Sequence, residues 1–118
     1  MKALFKIFRG TFTSWDDLFD QAAAFGTTVG HRRVLSVGHS EANRKGVVTL
    51  WYGEDDCRQA LQDVTKLDYR YYRGSWQSWE DLFAQASAFA ASIGPERVVS
   101  LSHSSEGADG VVVVWFWS

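Results

Sequence analysis

Only one cysteine, Cys57, occurs in the 118 residues. No internal disulfide can staple the fold, and that usage fits a reducing compartment. No apolar run approaches the roughly 20 residues needed to span a bilayer. The opening stretch MKALFKIFRG is broken by Lys6 and has no small-residue cleavage site, so it makes a poor secretory leader. Nor is positive charge in excess: twelve Lys and Arg against fourteen Asp and Glu give a net charge of −2. That balance disfavours nucleic acid and anionic membranes as partners. Together these absences lead us to expect a cytoplasmic protein. Catalytic and metal motifs are scarce as well, with no nucleophile elbow and no spaced Cys or carboxylate ligands near the histidines.

What the chain has in quantity is aromatic residues: six Trp, four Tyr and eight Phe. Rings of that size supply apolar area that a unit of roughly 60 residues would otherwise lack, and some can face a partner. An apolar fraction of 46% with 22% charged residues is the profile of a globular domain and not of a disordered chain.

The chain is written twice. Shifting it by 64 positions lays RGTFTSWDDLFDQAAAF over RGSWQSWEDLFAQASAF, then VGHRRVLSVGHS over IGPERVVSLSHS, without a gap. Over positions 9 to 52, 21 of 44 residues are identical to their counterparts. Each half opens with an alternating aromatic run, LFKIFRG or DYRYYRG, that predicts a strand. Ser14 and Ser78 then stand as helix N-caps, with Asp17 and Asp81 three places on. Apolar residues from Trp15 to Val29 and from Trp79 to Ile93 keep helical spacing. Gly30 and Gly94 suit a left-handed C-terminal residue, and Pro95 blocks continuation. Two further strands complete a β-α-β-β module.

We therefore expect an α+β fold of tandem β-α-β-β modules, residues 1–54 and 67–118, joined by a connector at 55–66 with enough apolar residues for a short helix. The third strands, VVTLWY and VVVVWFW, are apolar at nearly every position, which predicts central strands covered on both faces. A pseudo-twofold antiparallel sheet assembly with helices packed on it would do this. A connector helix would instead allow a ferredoxin-like description.

Connectivity predicts where the repeated polar residues gather. The end of the first strand, the helix start and the end of the second strand should share one pole: Arg9, Ser14, Asp17, His39 and Ser40 in one half, and Arg73, Ser78, Asp81, His103 and Ser104 in the other. Strand parity groups Arg33, Leu35, Val37 and His39 on one face, with Val34, Ser36, Gly38 and Ser40 on the other. His39 then points beneath the helix start, towards Asp17 or the cap. It serves there either as a clasp between helix and sheet, or as part of a ligand or anion pocket with Arg9. Ser40, His39 and Asp17 could be written as a catalytic triad, but strand neighbours point to opposite faces. His39 and His103 alone are a weak metal pair. His31, replaced by Pro95 in the second half, suits a solvated helix end.

A second candidate surface is the aromatic strand ends: Trp51, Tyr52, Trp115, Phe116 and Trp117. The run YRYYRGSWQSW could stack single-stranded RNA, but its counterpart FKIFRGTFTSW is more apolar, so core packing accounts for it better. The hairpin loops differ in charge, EANRKG being basic and SEGADG acidic, so a chemistry shared by both halves cannot depend on them.

The segments RGTFTSWDD and RGSWQSWED, with a Trp-bearing last strand, make the chain resemble the dodecins, bacterial flavin-binding proteins with a β-α-β-β protomer. The chain also resembles bacterial proteins carrying the Ser-Trp-acid-Asp-Leu-Phe and Ser-His-Ser pattern, a likeness that brings no activity with it. The dodecin resemblance implies the fold. It does not carry over the flavin, because the dodecin second strand supplies an aromatic that stacks on it, and RRVLSVGHS and ERVVSLSHS have none. No cofactor is assigned. The expected function is a non-catalytic binding or assembly module using an aromatic sheet face, through self-association or a small-molecule ligand. The competing reading is an anion- or small-molecule-binding protein, or an enzyme, acting at the Arg-Asp-His pole.

Overall fold

The computed structural model describes residues 1–11, 13–43, 45–106 and 109–118, and the backbone alone of Ala42 and Glu106. The contrast between the two hairpin loops falls on Arg44, Gly107 and Ala108, outside the described residues. The elements are β1 (Ala3–Thr11), α1 (Trp15–Val29), β2 (Val34–Ala42), β3 (Lys45–Gly53), β4 (Leu67–Ser75), α2 (Trp79–Ile93), β5 (Val98–Glu106) and β6 (Asp109–Trp117), with one 3-10 turn at Pro95–Arg97. This is an α+β fold of two helices and two three-stranded antiparallel sheets, ordered β1-β3-β2 and β4-β6-β5.

Local signals explain the element ends. The Ser14 hydroxyl accepts from the Asp17 amide at 3.2 Å, and the Ser78 hydroxyl from the Asp81 amide at 3.1 Å. Each satisfies one of the orphan donors of a first helical turn. Gly30 and Gly94 stop the helices at φ of 99° and 97°, a region that strains residues with a Cβ.

The strands rich in β-branched residues, β3 and β6, are central as their apolarity predicts, but they are not covered alike. Val112 and Val114 of β6 pack under Leu82 and Ala86 of α2. On the other face of β6, Val111, Val113 and Trp115 join the core formed by α1 and β3. In β3, Val48 and Leu50 are buried against α1, whereas Trp51 on the opposite face is exposed. The layers therefore run α2, second sheet, α1, first sheet, and the outer face of the first sheet is bare. Coverage of the third strand on both faces holds for β6 and fails for β3.

This stacking also corrects the expected pseudo-twofold. A twofold makes every contact reciprocal. Here the second sheet covers α1, so that Phe19 is 0% exposed, while its counterpart Phe83 on α2 is 42% exposed. The relation is one-sided.

The connector forms no helix among the described residues, so the full ferredoxin-like description does not apply. Its backbone is bonded elsewhere: the Cys57 and Arg58 amides donate to the Arg32 carbonyl, and those of Thr65 and Lys66 to that of Ser118. A short helical segment gains little by itself, and these tertiary bonds hold the strap extended while Leu61 and Val64 pack on the core.

Candidate functional site

His39 sits where an apolar row of β2 runs beneath the first turns of α1. A register shift between Val34 and Ser36 bulges Leu35 out of the alternation, so Val34, not Leu35, shares the buried face with Val37 and His39. The parity of His39 itself lies beyond the bulge and is unchanged. Its ring stands edge-on to Trp15 and Phe19, with centroids 5.2 and 5.5 Å away. Those two rings are themselves stacked one helical turn apart at 5.3 Å.

The hydrogen bond recorded for His39 goes to the other sheet rather than to Asp17. Its Nδ1 lies 2.5 Å from the Ser102 hydroxyl of β5. Beside it, the Ser100 hydroxyl donates to the Val37 carbonyl at 2.8 Å and accepts from the Val37 amide at 3.1 Å. Two serines of β5 thus grip the free edge of β2. Burial, and secondarily the nearby His103, lower the His39 pKa to about 4. The imidazole is neutral at neutral pH, with Nε2 buried and without a hydrogen-bond partner among the described residues. As placed, it clasps two sheets and carries no charge for an anion.

The rest of the expected pole comes to the same end of the molecule but is divided by the sheets. Arg9 pairs with Val47 in the register, as does Ser40, and both lie on the outer face opposite His39. The Ser14 hydroxyl is taken up by the Asp17 amide in one helix cap, and the Ser78 hydroxyl by the Asp81 amide in the other. Arg73 is ion-paired with Asp109 at 2.9 Å, and Ser75 also donates to that carboxylate. The Ser75 hydrogen bond and then the Arg73 guanidinium hold Asp109 below the usual carboxylate range. His103 is exposed, and the buried Ser104 hydroxyl lacks a partner among the described residues.

The aromatic candidates separate by burial. Trp115 and Trp117 are core residues, Trp117 lying against His31 with centroids 5.9 Å apart. Tyr52 packs on Phe25 and Phe116 on Phe89. Of the five, Trp51 alone is exposed, and it has a companion that the sequence reading missed. Phe5 on β1 lies 5.4 Å from Trp51, with their planes at 50°. They are 57% and 43% exposed.

The same pair recurs in the second sheet, with Trp115 buried and Tyr69 half-buried. Tyr69 and Trp115 lie 5.4 Å apart at 46° and close over Phe19 together with Tyr71. The Tyr69 hydroxyl donates to Asp20 at 2.6 Å. Tyr71 hydrogen-bonds Asp16, and burial, followed by these carboxylates, raises both phenol pKa values. On α2 the equivalent helix face is open. Trp79 and Phe83 stack 5.6 Å apart and pack against His103, and Phe83, Leu101 and His103 line a groove of about 260 Å³.

A second cleft, of about 310 Å³, lies where the connector crosses the two sheets, between His31, Arg58, Glu96 and Trp117. Among the described residues no cluster of His, Cys, Asp and Glu could hold a metal ion. No helix is long and apolar enough to cross a membrane. Comparison with protein-family models, with curated proteins and with solved structures returns no match.

Proposed function

We propose that this chain is a non-catalytic binding or assembly module, built from two copies of one β-α-β-β unit in a dodecin-like manner and working in the cytoplasm. Its aromatic first-sheet face is buried by a partner surface. The observation that carries this reading is the Phe5–Trp51 pair. Two large rings stand side by side, both about half in solvent, on a sheet face whose counterpart in the same chain is packed over α1. Contiguous exposed apolar surface of this kind marks an interaction site in proteins that stay soluble.

The reading of the Arg-Asp-His pole as an anion or catalytic site draws less support. Its arginine and its histidine stand on opposite faces of the sheet, and the histidine is neutral and engaged.

Native mass spectrometry of the purified protein, taken with its absorbance spectrum, tests the proposal. The expected result is more than one copy, or a bound ligand, and its loss on Trp51→Lys with the circular dichroism unchanged. A wild-type protein that stays monomeric and ligand-free at high concentration overturns it.

A further inference from the structure

The chain carries, inside itself, a template for what covers that face. The second sheet covers α1, and moving each residue of that contact by 64 positions gives two surfaces that are both exposed. One is the first-sheet face, with Phe5 and Trp51 in the places of Tyr69 and Trp115. The other is the α2 face, with Trp79 and Phe83 in the places of Trp15 and Phe19. We infer that the first sheet of one copy covers α2 of a second copy, head to tail, by repeating the operation that carries the first unit onto the second. This rests on the assembly reading above and names its partner.

The differences between the two surfaces argue for a fit as strongly as the likenesses. Inside the chain, the Tyr69 hydroxyl donates to the Asp20 carboxylate. Their counterparts are Phe5 and Ala84, so donor and acceptor are lost together. Leu67 of β4 packs so closely on Gly26 that a Cβ there would stand 2.3 Å from its Cδ2. The counterparts are Ala3 and Ala90: the helix residue gains a Cβ where the strand residue loses its branch. Two pairs that touch across the internal contact thus differ in step, one in polarity and one in volume, while in a third, Tyr71 with Asp16, the donor alone is lost, its counterparts being Ile7 and Glu80.

The edge contact transfers as well. Ser36 takes the place of Ser100, whose hydroxyl grips the Val37 backbone, and Leu101 takes that of Val37 with its side chain exposed. One element is missing. His103 would meet Gly38, which has no hydroxyl, where His39 meets Ser102. The contact between copies therefore lacks three hydrogen bonds of the internal one, His39–Ser102, Tyr69–Asp20 and Tyr71–Asp16, and keeps the serine grip on the strand edge. Being heterologous, it closes into a ring or grows into a stack according to the rotation between units.

Two charge substitutions at exposed positions, Phe5→Asp on the sheet face and Phe83→Asp on the helix face, test the arrangement by native mass spectrometry and sedimentation. Each variant alone should lose association by about thirtyfold or more, the size of an interface hot spot. Each also keeps one intact surface, so an equimolar mixture should recover a one-to-one heterodimer. Circular dichroism of each variant confirms that the fold is retained. If either single variant keeps the wild-type copy number, or the mixture forms no heterodimer, head-to-tail docking is wrong, and the assembly reading survives in another geometry or with another ligand. If the wild type is itself monomeric and ligand-free, both fall.

Discussion

The His39 imidazole and the Ser102 hydroxyl meet 2.5 Å apart across the line where the two sheets adjoin. One belongs to β2 and the other to β5, and no other side-chain pair recorded among the described residues bonds those two strands directly. The contact joins a residue placed by an apolar strand row to one placed by the opposite unit.

Because burial holds the His39 pKa near 4, stability should depend on pH in a defined window. The unfolded chain takes up a proton near pH 6.5, before the folded one does. The contribution is therefore complete above pH 6.5 and is lost as pH falls towards 4, to a total of about 3 kcal/mol. Urea titrations between pH 4 and 7 should show this slope, and His39→Gln should flatten it. An unchanged slope in that variant would assign the titration to another group.

Removing the partner alone should be milder. Ser102→Ala takes away one net hydrogen bond and should cost about 1 kcal/mol in thermal or urea unfolding. A cost above about 3 kcal/mol would mean that the hydroxyl organises more than this bond.

The two repeat phenylalanines should behave differently despite closely similar local sequence. Phe19→Ala opens a cavity among Trp15, Tyr69, Tyr71 and Trp115 and should cost about 3–5 kcal/mol. Phe83→Ala, measured in the Phe5→Asp background to exclude association, should cost less than about 1.5 kcal/mol because the side chain is already half solvated. Equal costs would contradict the one-sided stacking.

Gly38 offers a gain-of-function test. A Cβ there meets nothing within 4 Å, and its φ is not in the left-handed region. Gly38→Ser supplies the hydroxyl that His103 lacks between copies, and it should tighten association about five- to tenfold without changing the stability of the isolated chain. Weaker association would show that Gly38 does not face His103 of a neighbour.

Much of this architecture is legible in the sequence. The strands, both helices, their serine caps and the glycine stops follow from short-range chemistry, which acts over three or four residues. The β2 face assignment fails at Val34 and Leu35, because the bulge depends on pairing with β3 and not on the residues themselves. The connector shows the same limit: Cys57, Ala60, Leu61 and Val64 have helical spacing, yet bonds to Arg32 and Ser118 draw the strap out. The pole is legible as a place and misleading as a site. Connectivity brings Arg9 and His39 to one end of the sheet but cannot say that they point to opposite sides. Ser102 had no visible role until β5 was seen beside β2. The substitution pairs at 69/5 with 20/84, and at 67/3 with 26/90, are plain in the repeat and acquire meaning only once α1 is known to lie under the second sheet.

The replacement of Tyr69 and Asp20 by Phe5 and Ala84 gives the two contacts opposite responses to temperature. The internal one carries a hydrogen bond and is tethered by the chain. The external one consists largely of apolar contacts, whose driving force near room temperature is entropic and fades on cooling. Copies joined through Phe5 and Trp51 should come apart in the cold while each chain stays folded.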